Sequence, residues 1–320
     1  MSMRKYIAKR VLHSVFVMWL VATTVFFGLR LIPGGPVYAM LGQEATPESV
    51  AALREQLGLN QPVYVQYLDW MADLLVLDFG TGVVSGEAVT TLIADAAPKT
   101  VSIAVVAIVV GLSVAIPTGI VSATRKHEPA DYVATVAAFL GLSMPAFFVG
   151  ILLALVFGVW FDLLPVFGYT PISEGLVPWF RSVFLPGIAV GLPYAAIVMR
   201  MMRSSLLEVM NQQYMRTAMA KGVGNRVRLY KHALQNAMIP VVTVAGIQLA
   251  LVLVGSVTVE IVFGIQGLGQ LLVDSILDRN YPVTQAVILV VAGVMVFTNL
   301  LVDLTYTVID PRIGYGGETA

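Results

Sequence analysis

An all-α membrane protein with six transmembrane helices is the fold class this sequence predicts, and three observations predict it. The 320-residue chain is 58% hydrophobic and only 12% charged, where a soluble domain carries roughly 25% charged residues. Its mean hydropathy is +0.85. The apolar residues come in runs long enough to cross a bilayer, for which about 20 helical residues suffice. They place spans at roughly 11–29, 100–124, 132–158, 184–203, 239–261 and 283–304.

The first run follows Arg4, Lys5, Lys9 and Arg10, a charged start like that of a signal peptide. Its apolar stretch, Val11 to Gly28, exceeds the usual run of roughly 7–15 residues, and no small-x-small cleavage site follows. It therefore reads as a retained helix. The fourth run is the weakest, because Pro186 and Pro193 interrupt it and Arg200 and Arg203 crowd its end. Pro117, Pro145 and Pro193 fall inside spans, where proline makes static kinks more often than hinges.

Lys and Arg set the orientation. With the N-terminus inside, the inner segments hold Arg4, Lys5, Lys9, Arg10, Arg125, Lys126, Arg200, Arg203, Arg216, Lys221, Arg226, Arg228, Lys231 and Arg312, fourteen in all. The outer segments hold five: Arg30, Arg54, Lys99, Arg181 and Arg279. Residues 1–10 and the tail 311–320 are thus expected in the cytoplasm, flanking a transmembrane domain over 11–310. The net charge of zero is uninformative beside this asymmetry. With no cysteine, disulfides and thiolate metal sites are excluded.

Between the spans, the largest outer segment, 33–98, carries short helices. Thr46 can cap one, Pro47 takes its first position and Gly58 ends it. Val50, Leu53 and Leu57 fall on its one face. An apolar and aromatic patch follows: Tyr64, Tyr67, Trp70, Leu74 and Leu75. Aromatic residues favour the membrane interface, so the segment reads as a cap on the outer surface, with a docking surface for an external delivery protein as the alternative. Trp160, Phe161 and Trp179 mark another outer loop in the same zone.

The cytoplasmic segment 204–238 is long and basic, where nothing in lipid rewards length. Thr217, Ala218 and Ala220 give a short helix of low relief that a partner cleft can approach closely. Gly222 can take positive φ and turn the chain after it. Asn225 is placed to cap a second helix running to Asn236, and Pro240 fits the start or a kink of the fifth span. The positive-inside rule alone explains the charges. It does not explain the combination of Arg216-Thr217-Ala218-x-Ala220-Lys221-Gly222 with His232-Ala233-Leu234-x-Asn236 and Ile239-Pro240.

That combination resembles the cytoplasmic coupling loop of ABC importer permeases in the dipeptide/oligopeptide family. Other segments extend the resemblance along the chain: Pro33-Gly34-Gly35-Pro36, Gly58-Leu59-Asn60-Gln61-Pro62, Asp78-Phe79-Gly80, Ser143-Met144-Pro145-Ala146-Phe147, Glu260-Ile261-Val262-Phe263-Gly264 with Gly267-Leu268-Gly269, Tyr281-Pro282 and Asp310-Pro311-Arg312. The departures are Gln213 for an acidic residue, Met219 for Arg, Gly35 for Asp and Asn280 for Asp. Met219 removes a charge from the docking face. The resemblance implies a type I ABC importer permease fold and a cell-membrane location. It implies an ATPase-coupling role for Arg216, Thr217, Ala218, Ala220, Lys221 and Gly222. It also implies four kinds of company: a second homologous permease, two ATP-binding subunits, an extracytoplasmic solute-binding protein and membrane lipid. Peptides, nickel chelates or sugars are the implied solutes, and nothing points to nucleic acid.

Other classes fare worse. The chain has no Gly-Lys dipeptide and hence no phosphate loop. ATP and Mg therefore belong to a partner, and the chain is expected to be no enzyme and to hold no cofactor. His13, His127 and His232 are scattered and form no metal motif. An ion-coupled secondary transporter or channel, the alternative reading, generally needs ionisable groups within the membrane. Glu260 and Asp303 sit at span edges, where an outer basic residue would pair with the first and an inner one with the second. Thr243, Gln248 and Ser256 are candidates to line a pathway, with interhelical hydrogen bonding as the competing role.

Overall fold

The computed structural model describes residues 3–31, 37, 46–56, 59–83 and 85–309. Pro33–Pro36, Leu57, Gly58, the Asp303 side chain, Asp310-Pro311-Arg312 and the tail 311–320 lie outside the described residues. Among those described, the one extended pairing is an isolated bridge, Thr81 with Ala88; the rest is helix and loop.

Among the described residues, eleven helices of eight or more residues follow in order. They are α1 (Met3–Arg30), α2 (Pro47–Gln56), α3 (Val63–Leu75), α4 (Val89–Thr124), α5 (Pro129–Ser143), α6 (Ala146–Trp160), α7 (Leu176–Met210), α8 (Gln213–Ala220), α9 (Asn225–Val262), α10 (Leu268–Leu277) and α11 (Tyr281–Ile309). Five of them, α1, α4, α7, α9 and α11, are each long and apolar enough to span a membrane.

The expected third span is broken. At Met144-Pro145 the chain turns by 106° between α5 and α6. Met144 takes extended backbone (φ −93°, ψ 129°) and Pro145 becomes the cap of α6, as steric conflict with the proline ring requires of the residue before it. The pair still crosses the bundle. Asp131, in the first turn of α5, bonds Arg203 near one end of α7, while Arg181 near the other end of α7 donates to the Leu163 carbonyl just past α6. Twenty-two helical residues separate Arg181 from Arg203, or about 33 Å. That matches a hydrocarbon core of about 30 Å. Together with the five long helices, this makes six crossings.

The weakest span on paper is the central one. Seventy-two per cent of the apolar window of α7 is buried, against 11% in α1. Both Pro186 and Pro193 lie inside α7 without breaking it. Its small residues explain why. A Cβ on Gly187 would meet Val106 Cγ1 at 2.4 Å, and one on Gly191 would meet the Ala107 carbonyl oxygen at 2.7 Å. Glycine four residues apart thus lets α7 and α4 touch backbone to backbone, and packing holds the helix where propensity would not. The buried core runs along this seam through Ile103, Ala107, Leu185, Val198 and Met202.

At the N-terminal side, α3 leans on the end of α1. The Thr23 and Tyr67 hydroxyls lie 2.8 Å apart, and Arg30 donates to Gln66 Oε1 at 3.0 Å. Phe26 packs against Tyr67 and Trp70, each with centroids 5.2 Å from its own. The predicted patch is therefore split: Tyr67 and Trp70 face α1, while Tyr64 and Leu75 are exposed. Ahead of it, Thr46 and Ser49 bond reciprocally at the start of α2, with Pro47 in the first position as expected.

Glu260 takes a different role from the one expected of it. Fully buried, it accepts from Thr100 (2.8 Å), Ser256 (3.1 Å) and the backbone amides of Gly269 (2.8 Å) and Gln270 (3.1 Å). Its partner is the N-terminus of α10 rather than a basic residue. Free amides at a helix start attract a carboxylate without any cation.

Candidate functional site

The segment following α7 is built to stand out from the bundle while staying tied to it. Turn bonds from Asn211 and Gln212 to the Glu208 and Val209 carbonyls close α7. Gln212 then takes extended backbone and α8 begins without a side-chain cap. One residue anchors α8 from beneath: Met215 is 4% exposed and belongs to the main core. A second tie joins α8 to α9. The Tyr214 hydroxyl accepts from Asn236 Nδ2 at 3.0 Å and donates to the His232 carbonyl at 3.4 Å, and Asn236 Nδ2 reaches the same carbonyl at 3.0 Å.

The opposite face of α8 is bare. Arg216, Thr217, Met219, Ala220, Lys221 and Gly222 are exposed and Ala218 half-buried. Thr217 turns its hydroxyl back to the Gln213 carbonyl, 3.2 Å away, which leaves its methyl and the two alanines as a low surface. The helix ends as its glycine predicts. Gly222 has φ +77°, its amide bonds the Met219 carbonyl at 3.0 Å, and the Val223 amide reaches the Ala218 carbonyl at 3.1 Å. These two bonds are the signature of a Schellman stop.

The expected second helix starts one residue early. Gly224 is the cap of α9 and Asn225 its first helical residue, with Asn225 Oδ1 accepting from Arg228 Nη2 at 2.7 Å. Glycine needs no side chain to free the first amides, so Asn225 serves the arginine instead. Wide π-type turns follow over Arg228–Ala233, after which α9 runs straight into the membrane through Pro240. Segment 204–238 holds Arg216, Lys221, Arg226, Arg228 and Lys231 against the single acid Glu208. Thus five of the six predicted coupling residues are exposed and Ala218 is half-buried, in a segment dominated by positive charge.

The three candidate lining residues do not come together. Thr243 borders an apolar cavity of about 280 Å³ beside Ile108, Tyr194 and Leu249, with its hydroxyl turned to the Ile239 carbonyl at 2.9 Å. Gln248 is buried, and Ser256 is fully buried in the Glu260 cluster. At 3.6 residues per turn, Gln248 and Ser256 lie about 140° and 220° around α9 from Thr243.

Sequence reasoning passed over Asp131. Its carboxylate, 3% exposed, accepts from Arg203 Nε (2.8 Å), Arg203 Nη2 (2.9 Å), the His127 amide (3.0 Å) and the Ser122 hydroxyl. This cluster pins α4, α5 and α7 together at the end from which α8 emerges. The only trace in the sequence is an acid in the first turn after Pro129.

Comparison with known proteins agrees with this architecture. Residues 115–315 match the family described as the inner membrane component of binding-protein-dependent transport systems, and residues 3–104 match its N-terminal companion. A probable peptide ABC transporter permease of Sinorhizobium fredii is 40% identical over 310 residues, covering 97% of this chain and 99% of the relative. A dipeptide transport system permease of Alkalihalophilus pseudofirmus is 37% identical over 98% of this chain and all of its own length. A glutathione transport system permease of Salmonella choleraesuis is 39% identical, again over 98% of this chain and 100% of the relative. Among solved structures, an amino acid ABC transporter crystallised with histidines shares the fold, with TM-score 0.51 and 14% identity over 68% of this chain and 94% of that one.

Proposed function

Because the chain belongs to the family of inner membrane components of binding-protein-dependent transport systems, we infer that its exposed helix α8 is the surface on which a separate ATPase docks. The chain is the membrane subunit of an ABC importer, and half of the translocation pathway is its share. The observation that carries the docking role is the geometry of α8. A helix that buries only Met215 and leaves Arg216, Thr217, Ala220 and Lys221 in the open has a face that none of the described residues covers. Its small side chains let another protein come close, and the basic rim favours an acidic cleft.

In this reading the partner binds ATP with Mg and closes on hydrolysis-competent binding, and α8 passes that motion to α7 and α9 through Met215 and the Tyr214–Asn236 tie. Two ATP-binding subunits, a second homologous permease and an extracytoplasmic solute-binding protein complete the importer. Both termini and α8 face the cytoplasm, as the Lys and Arg asymmetry favours. The solute is a short peptide. The relatives are named for peptides, dipeptides and glutathione, and the last is itself a tripeptide.

Site-directed cross-linking tests the docking role. A cysteine at Ala220 in this cysteine-free chain should cross-link to the co-purified ATPase, while one at the anchored Met215 should not. Cross-linking at neither Ala220 nor Lys221, in a complex that hydrolyses ATP, would remove α8 from the interface.

A further inference from the structure

We propose that the cleft between α1, α9 and α11, at the end of the bundle from which α8 emerges, binds one anionic phospholipid. The cavity measures about 310 Å³. Arg10, His13, Ser14 and Val17 form its α1 wall, with Asn299 and Val296 opposite on α11. The spacing i, i+3, i+4, i+7 places the first four on a single helical face. Among the described residues no carboxylate lines the space.

The order of these groups is that of a lipid. Arg10, His13 and Ser14 stand within one turn of each other, and Val17 lies about 10 Å deeper than Arg10 at 1.5 Å per residue. The two helices run in opposite directions here: Met18 reaches Gly293, while the earlier residues of α1 line the same cavity as Asn299. Val296 is accordingly deeper than Asn299, and Ile247 of α9 adds to the apolar side. A phosphate fits the polar level, and an acyl chain fits the groove below it. A soluble phosphate would leave that lower half unused.

Charge favours an anion. Lys9 immediately precedes Arg10 in the sequence, and Arg4 and Lys5 lie earlier on α1. A guanidinium has five N–H donors, so Arg10 can keep a contact within the protein and still donate to a phosphate. Basic pockets between transmembrane helices commonly hold acidic headgroups. The rest of α1 supports the idea, since only 11% of its apolar window is buried. A lipid wedged against α11 would give this lightly packed helix a second point of attachment.

Native mass spectrometry of the full chain, purified in the complex in which it assembles and then delipidated, tests the proposal. Phosphatidylglycerol, phosphatidylcholine and glycerol phosphate are added separately. Phosphatidylglycerol should remain bound and phosphatidylcholine should not. Arg10→Gln should lower retention about fivefold, the factor that one basic side chain contributes near an anionic surface. Ser14→Leu, which fills the cavity and leaves the charge alone, should abolish the same adduct. Equal retention of phosphatidylcholine, or an adduct that survives Ser14→Leu, would overturn the proposal. So would full displacement of the lipid by glycerol phosphate, because the acyl groove would then contribute nothing.

Discussion

At Gly222 the backbone alone decides what is allowed. A Cβ there would meet nothing within 4 Å, yet φ is +77°, so a substitution acts through conformation and not through crowding. Left-handed backbone costs an ordinary L-residue about 1–2 kcal/mol, and a β-branched one fares worst. Gly222→Val should therefore unwind the stop of α8 and move Lys221, with membrane insertion unaffected. Solute-stimulated ATPase activity of the assembled importer should fall in the order Gly, Asn, Ala, Val, since Asn tolerates this region best after glycine. Full activity in the Val variant would contradict the coupling role. At Asp131 the opposite logic holds, because partners decide. Arg203→Met leaves a buried carboxylate short of two of its donors, a loss of about 3–5 kcal/mol. Its thermal unfolding temperature in detergent should drop clearly. Asp131→Asn combined with Arg203→Met should recover part of the loss, because no buried charge then remains unpaired. A double variant no better than the single one would show that the pair's charge is not what stabilises this end.

Among elements, the α4–α7 seam bears more of the packing than any other helix pair of the described residues, and it is the place where composition misleads. Pro186 and Pro193 lower helical propensity and Arg203 adds charge, so hydropathy ranks α7 last. What overrides it is invisible to hydropathy: Gly187 and Gly191 meet Val106 and Ala107, some eighty residues earlier in the chain. Gly191→Ala should cost about 1–3 kcal/mol, since its Cβ would press a backbone oxygen at 2.7 Å that no side-chain rotation can relieve. Gly28→Ala, with nothing in reach, should cost little; the comparison is read from melting of the two purified variants, and equal melting would refute the close-contact account. Local signals were readable where local chemistry rules. Gly222 as a helix stop, Pro47 and Thr46 as a helix start, and the exposed small face of α8 all follow from a few neighbouring residues. The bend at Pro145 was half readable: proline marks the position, but the 106° turn depends on how α5 and α6 pack on α7. Clusters joined across the fold were not readable. Thr100 lies 160 residues from Glu260 and Arg203 lies 72 from Asp131, and no periodicity connects them.

For the molecule as a whole, the basic asymmetry and the six crossings together predict which surfaces share a side. Glu55 in α2 and Asn225 at the start of α9 are both exposed, and the absence of cysteine makes single-site labelling clean. An impermeant maleimide should reach a cysteine at Glu55 in sealed cells and one at Asn225 only in inverted vesicles. Labelling of both from outside would overturn the orientation. The same architecture predicts that the chain cannot move solute alone. Its six crossings form one wall: α1 has most of its apolar surface uncovered, and the cavity beside Thr243 is apolar and measures only about 280 Å³. The buried acids of the described spans are spoken for. Asp131 is held by Arg203, and Glu260 has four donors, which leaves neither poised to carry a proton along a relay. On the proposed function, energy comes from an ATPase docked on the face where α8 leaves its small residues bare. The purified chain in liposomes, given an imposed proton or sodium gradient and short peptides outside, should accumulate nothing. Adding the second permease, the ATPase subunits, the solute-binding protein and ATP should restore uptake. Gradient-driven accumulation by the chain alone would instead establish an ion-coupled carrier and leave the bare face of α8 without a purpose.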